Sequence, residues 1–123
     1  MRLASNNLSA RQPVNSSTKN IINMTTEVKQ EGSKTIIYFK GEMDTLASSE
    51  AEQTLQPVLE TKPSEIILDC TSLEYIASAG LRLFISLLKS VKSSGGNLVV
   101  KNINEDIQDV FKVTGFDSLF TIE

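Results

Sequence analysis

The sequence predicts an α/β fold in which a mixed sheet of about four to five strands is covered by about three to four helices. Two strand-like runs joined by turn residues open the pattern, and short apolar runs then alternate with helical periodicity. A chain of 123 residues is long enough for one domain with a core, but short for two. We therefore predict an N-terminal hairpin followed by parallel strands.

The first two strands are predicted to pair as this hairpin. Residues 27–30 form a plausible edge strand, and Glu31-Gly32-Ser33 supplies the turn. Residues 35–39 are mostly β-branched and aromatic, which is typical of a buried strand. Gly41-Glu42-Met43-Asp44 is expected to end this strand.

The first helix is predicted to begin near Ser49, because Glu52 three residues later completes a capping-box pattern. Pro57 lacks a backbone donor and is expected to kink the helix or end it early. The apolar face of this helix is Ala51, Leu55, Val58 and Leu59.

A short continuous apolar strand at residues 65–69 precedes the second helix, which we predict from about Ala79 to Ser94. Gly95-Gly96 supplies the helix stop. The predicted core stripe of this helix is Leu81, Leu83, Phe84, Ile85, Leu87, Leu88 and Val91. The polar side is Arg82, Ser86, Lys89 and Ser93.

The last elements are a strand at residues 97–101 and a third helix capped by Asn104 or Asn102. Gly115 is expected to end that helix, and residues 119–122 add a final strand or pack as a tail. The buried face of the third helix is Ile107, Val110 and Phe111.

Charge is unevenly distributed along the chain, whose net charge is −3. Residues 1–23 carry +3, are rich in Asn and Ser, and show no periodicity. We predict that they are a disordered leader, or an extension before a natural start at Met24, and that residues 24–123 are the domain. The domain carries −6, which argues against nucleic acid and suits a protein partner.

Composition also restricts the chemistry. The chain has no histidine and one cysteine, Cys70, so it cannot hold a Ser-His-Asp site or an internal disulfide. Cys70 is expected to be a small buried filler at a strand end. Asp69 and Glu74 could be the paired carboxylates of a hydrolase, but the chain offers nothing else of such a site. No run approaches the roughly 20 apolar residues of a membrane span. We predict a cytoplasmic protein that is not an enzyme and has no cofactor, no metal and no membrane contact.

The segment Ser78-Ala79-Gly80-Leu81-Arg82 is the most informative part of the chain for function, because it places a serine where a helix is predicted to begin. Serine is a favoured N-cap, which is one interpretation of Ser78. The other is a phosphate acceptor, since a helix N-terminus presents unpaired N–H groups and a positive dipole. Arg82 lies one turn later, within reach of such a phosphate.

Taken together, these features resemble the STAS domain family, of the anti-sigma factor antagonist type, over about residues 26–123. The matching segments, in order, are Gly41-Glu42-Met43-Asp44, Ile66-Ile67-Leu68-Asp69, Tyr75-Ile76-Ala77-Ser78-Ala79-Gly80-Leu81-Arg82, Gly95-Gly96, and Phe111-Lys112-Val113-Thr114-Gly115-Phe116 with Leu119-Phe120.

The resemblance implies a partner-switching regulator. In such families an anti-sigma factor that is also a serine kinase phosphorylates the aligned serine, here Ser78, and a PP2C-type phosphatase removes the phosphate. The unmodified protein binds the anti-sigma factor, and Asp44 aligns with an acidic residue near the switch serine. We expect a monomer or a weak dimer. The implied partner-binding residues are Asp44, Ala77, Ser78, Ala79, Gly80 and Arg82.

Two residues depart from the family pattern. Ala77 stands where many members have Asp, and Ala79 stands where many have a second Ser. Ser78 is therefore the only hydroxyl residue in the segment Ala77-Ser78-Ala79. The departures leave open an alternative, in which the module binds its partner constitutively or holds a small apolar ligand.

Overall fold

The computed structural model describes residues 23–123, so the predicted leader lies outside the described residues except for Asn23. Within residues 23–123, five strands and three α-helices are arranged as an initial hairpin followed by alternating helices and strands. In order they are β1 (Met24–Glu31), β2 (Lys34–Met43), α1 (Thr45–Glu60), β3 (Glu65–Ile76), α2 (Ser78–Ser93), β4 (Asn97–Lys101), α3 (Glu105–Thr114) and β5 (Thr121–Ile122), with a short 3-10 helix at Phe116–Ser118 before β5.

The sheet has the order β1-β2-β3-β4-β5. β1 and β2 pair antiparallel through a turn at Gly32, and every later pairing is parallel. The predicted fold class is confirmed, including the hairpin and the parallel strands that follow it. None of the helices within residues 23–123 is long and apolar enough to cross a bilayer.

All three helices pack on one face of the sheet and share a single hydrophobic core. The ring of Phe84 lies at its centre, with ring centroids 5.6 Å from Phe39, 6.2 Å from Phe111 and 6.4 Å from Phe120. Ile67 and Val99 are also buried but lie outside this cluster, because alternate strand residues point to the opposite face. The predicted stripe of α2 is borne out, with Ile85 and Leu88 only partly buried at its margin.

Several predicted boundaries were wrong. α1 begins at Thr45 rather than near Ser49, and it continues through Pro57 to Glu60. β3 is twelve residues long and extends to Ile76, whereas the sequence predicted only its apolar first half. Its pairing with β2 shifts register between Tyr38 and Lys40, and this irregularity interrupts the alternation that marks a strand.

The residues predicted to cap α3 and to end α2 and α3 are confirmed. The Asn104 side chain accepts a hydrogen bond from the Ile107 amide at 2.8 Å, which makes it the N-cap of α3. Gly115 ends that helix in the left-handed region, at φ 78°. Gly95 follows α2 with φ 82°, and the Gly96 amide donates to the Val91 carbonyl at 2.8 Å.

Gly80 lies at a close approach between α2 and the sheet. A Cβ atom built on Gly80 would lie 2.7 Å from Met43 Sδ and 2.7 Å from Ile76 Cγ1. Real Cβ contacts are not this short, so only glycine lets the first turn of α2 lie against the ends of β2 and β3.

We predict that Gly80→Ala lowers the free energy of unfolding by about 1 kcal/mol or more in urea denaturation, although alanine favours a helix. The cost should shrink when Met43→Ala has already removed the opposing side chain. The exposed Ser86→Ala in the same helix is the control and should change little. An equal cost of Gly80→Ala in both backgrounds would show that contact with the Met43 side chain is not the cause.

The lone thiol, Cys70, is confirmed as a buried filler, although it lies within β3 rather than at a strand end. Burial, together with the Asp69 carboxylate, raises the pKa of Cys70 to about 12. The thiol is therefore protonated in the folded protein at physiological pH and is a poor nucleophile.

This raised pKa predicts a pH dependence of stability. Above about pH 8.5 the unfolded thiol loses its proton, while the folded one retains it, so the free energy of unfolding falls as pH rises. Cys70→Ala removes this contribution. Urea denaturation between pH 8 and 10 should give a shallower decline for the variant than for the wild type, and equal slopes would contradict the assignment.

Candidate functional site

Two helices begin side by side where the paired strands β2 and β3 end. β2 ends at Met43 and β3 ends at Ile76, and these two residues are paired in register. The next residues, Asp44 and Ala77, are the N-caps of α1 and α2. The Ala77 amide donates a hydrogen bond to the Met43 carbonyl at 2.8 Å, so the two caps are held together by the backbone.

Asp44 is occupied in starting α1. Its Oδ1 accepts a hydrogen bond from the Ala47 amide at 2.8 Å, and its carbonyl accepts from the Ser48 hydroxyl at 2.7 Å. The predicted capping box at Ser49 and Glu52 is therefore wrong, because the cap lies five residues before Ser49. The negative carboxylate lies at the positive end of the helix, where it is favoured.

Ser78 is not a cap. Ala77 occupies the N-cap position with extended backbone, φ −86° and ψ 170°, and within residues 23–123 no side chain caps α2. Ser78 is the first helical residue and is exposed. The N-cap interpretation is thus wrong, and the hydroxyl lies at a helix start that carries no acidic residue in its first turn.

The neighbours of Ser78 differ in accessibility. Ala77 and Ala79 are partly exposed, whereas Gly80 is buried against Met43. Gly80 therefore acts in packing, and the exposed surface around Ser78 is made by the other residues of this turn.

Arg82 lies one turn beyond Ser78, is exposed, and faces a shallow cleft of about 320 Å³ between α1 and α2. Within residues 23–123, Arg82 forms no ion pair, so its charge is not neutralised by a contact in this part of the chain. Besides Arg82, the cleft is lined by two apolar residues, Ala79 and Leu83, and by four hydroxyl side chains and one carboxylate, those of Thr45, Ser48, Ser49, Ser86 and Glu52.

Two exposed apolar side chains near the same edge were missed from the sequence. Leu46, in the first turn of α1, is 38% exposed, and Tyr75, near the end of β3, is 51% exposed. With α1 starting at Thr45, Leu46 can be recognised as an apolar residue of the first turn, because it falls beside the buried face that Ala47 and Ala51 define. Tyrosine side chains are enriched in protein interfaces relative to the rest of the surface.

The structure gives no support to a hydrolytic pair. Asp69 Oδ1 accepts from the Thr71 amide at 3.0 Å and from the Thr71 hydroxyl, which fixes it at the irregular part of β3. Glu74 is exposed farther along the strand. Within residues 23–123 no cluster of acidic or cysteine side chains is arranged to hold a metal ion.

The STAS domain family model matches residues 25–123, and the chain belongs to this family. An anti-sigma-B factor antagonist from Bacillus subtilis strain 168 is 27% identical over 101 residues, covering 82% of this chain and 92% of the relative. The crystal structure of an anti-sigma factor antagonist from Mycobacterium paratuberculosis superposes with a TM-score of 0.74 at 21% identity, covering 86% of this chain and 88% of that one.

A further structure, that of the Bacillus cell fate determinant SpoIIAA in the phosphorylated form, has a TM-score of 0.65 at 16% identity and covers 80% of this chain and 91% of that one. At these identities both structures establish a shared fold. The resemblance to the STAS family that the sequence motifs indicated is confirmed.

The contrast between the two caps gives a testable result. Asp44→Ala should lower the free energy of unfolding by about 1 kcal/mol, because it leaves helix amides unpaired. Ala77→Ser should instead raise it by about 0.5 to 1 kcal/mol, because it supplies the cap that α2 lacks. Chemical denaturation measures both, and a loss of stability in Ala77→Ser would contradict the assignment of Ala77 as an uncapped N-cap.

Proposed function

We propose that this chain is an anti-sigma factor antagonist that binds its anti-sigma factor through the surface around Ser78 and releases it when Ser78 is phosphorylated. The observation that carries the proposal is the exposed Ser78 hydroxyl on the first turn of α2, in a chain whose relatives include anti-sigma factor antagonists.

A phosphate on Ser78 is compatible with the fold. It would add roughly −1.5 to −2 charges at the positive end of α2, where no acidic residue and no side-chain cap compete for the free amides. Arg82, one turn along, is a cation without an ion pair within residues 23–123. A protein of the same fold, SpoIIAA, has been solved in a phosphorylated form.

The effect of the phosphate falls on the partner instead. Leu46 and Tyr75 supply apolar area near the edge where α1 and α2 begin, and a partner seated there would cover Ser78. Burying a poorly paired charge costs several kcal/mol, and about 1.4 kcal/mol is a tenfold change in affinity. Phosphorylation therefore releases the partner without a large change of shape.

Each predicted partner-binding residue has a distinct role in this scheme. Ser78 and Arg82 are exposed and contact the partner directly, with Ala77 and Ala79 allowing close approach. Asp44 and Gly80 act indirectly, the first by capping α1 and the second by seating α2 against Met43.

The proposal includes an anti-sigma factor of the serine-kinase type and a PP2C-type phosphatase, acting in the cytoplasm on a non-enzymatic regulator. The alternative is constitutive binding, which Ala77 and Ala79 motivate because they replace the residues common beside the switch serine.

Binding to the anti-sigma factors of the source organism tests the charge switch. We expect Ser78→Asp to weaken binding about 100-fold or more relative to Ser78→Ala, because only the first brings a charge into the interface. Ser93→Asp, an exposed position at the far end of α2, is the matched control and should bind like the wild type. Calorimetry gives the affinities, and equal binding by the two Ser78 variants would favour the constitutive alternative.

The same anti-sigma factors, incubated with ATP and the wild-type chain, test the modification itself. Mass spectrometry should place one phosphate on Ser78, and Ser78→Ala should abolish it. A phosphate elsewhere, or none from a kinase shown to be active, would contradict the proposal.

A further inference from the structure

The outer edge of β1 is an unbroken strand edge. β1 lies at the end of the sheet order, and within residues 23–123 no strand pairs with its outer side. Its pairing with β2 runs without a shift from Met24 opposite Gly41 to Glu31 opposite Lys34, so it contains no bulge. It also contains no proline. Two common devices that protect a sheet edge from pairing are therefore missing.

The register identifies the residues whose backbone groups point outward. The Glu42 amide donates to the Asn23 carbonyl at 2.9 Å, so the pair formed by these two residues is hydrogen-bonded. Because hydrogen-bonded and non-hydrogen-bonded pairs alternate along an antiparallel ladder, odd-numbered residues of β1 bond to β2. The N–H and C=O groups of the even-numbered residues, with Val28 near the middle, point away from the sheet.

The side chains around Val28 are self-complementary in charge. Glu27 and Lys29 flank it, lie on the same face of the strand, and have side chains that are 55% and 60% exposed. Charges on an edge strand usually repel a second strand. Here a second copy of β1, antiparallel and centred on Val28, places Glu27 opposite the partner's Lys29 and Lys29 opposite the partner's Glu27.

This register also satisfies the backbone. Val28 becomes a hydrogen-bonded pair with its own counterpart, which matches the outward direction of its N–H and C=O groups. The overlap runs from Thr25 to Glu31, and the Val28 side chain, 38% exposed on the helix face, meets the same side chain of the second copy. Centring on Gln30 would also oppose unlike charges, but the turn at Gly32 then cuts the overlap short.

We propose that two copies of this chain associate through antiparallel pairing of their β1 strands, with the two-fold axis at Val28, to form one continuous sheet. The contact lies at the edge of the sheet, whereas Ser78 follows the end of β3, two strands away. The dimer therefore leaves the surface around Ser78 open, and this inference stands independently of the proposed function.

Charge reversal in the full chain tests the pairing, with sedimentation equilibrium as the measurement. The wild type should show a reversible monomer–dimer equilibrium. Glu27→Lys and Lys29→Glu, each alone, should weaken association on the order of tenfold or more, because each opposes like charges at two positions. An equimolar mixture of the two variants should recover the wild-type affinity, since each lysine pair then faces a glutamate pair.

Two further variants fix the interpretation. Lys101→Glu removes a comparable exposed ion pair, to Glu123, away from β1, and should leave association unchanged. Val28→Pro removes an outward N–H without removing a bond to β2, and should give a folded monomer by circular dichroism and sedimentation.

Three results would contradict pairing through β1. A wild type that remains monomeric at millimolar concentration overturns the proposal, as does a mixture that associates no better than its separate components. Association of a folded Val28→Pro variant with wild-type affinity would show that the interface lies elsewhere and would equally overturn it.

Discussion

The fold around the candidate site depends on one backbone junction, the hydrogen bond from the Ala77 amide to the Met43 carbonyl. It joins the ends of the parallel strands β2 and β3, each of which is followed directly by a helix. The bond follows directly on the pairing of Met43 with Ile76, and the absence of a side chain at Gly80 lets the first turn of α2 lie against the Met43 side chain. As a result, the N-termini of α1 and α2 lie together at one edge of the sheet, and their free amides and dipoles point toward the same surface.

At this edge the residues that stabilise the fold are distinct from the residues proposed to carry the signal. The Asp44 carboxylate accepts a hydrogen bond from the Ala47 amide of α1, so its charge is used within the domain. α2 starts without such a group, and Ser78 is exposed one residue later. A negative charge added there meets unpaired donors in its own chain and a steric and electrostatic conflict only with a partner. Under the proposed function, this is how one scaffold would support two binding states without refolding.

The sequence predicted the parts of this arrangement that local chemistry decides. The hairpin, the apolar stripe of α2 and the Asn104 and Gly115 ends of α3 follow from turn residues, periodicity and capping preferences. It failed where tertiary context chooses between local options. Ser49 and Ser78 are both good caps, but the strand ends at Met43 and Ile76 place the caps at Asp44 and Ala77. The register shift in β3 likewise hid its second half, and Pro57 is tolerated because it lies on an exposed face near the end of α1.

The central claim is that the junction at the helix starts is rigid and persists when charge is added beside it. The most direct measurement is amide hydrogen exchange at Ala77, by NMR, in the unmodified chain and in the chain phosphorylated at Ser78. Strong protection of this amide is expected in both forms, because the bond to Met43 remains and the phosphate stays at the surface. Rapid exchange at Ala77 after phosphorylation would mean that the junction opens and that charge is not accommodated without a change of structure.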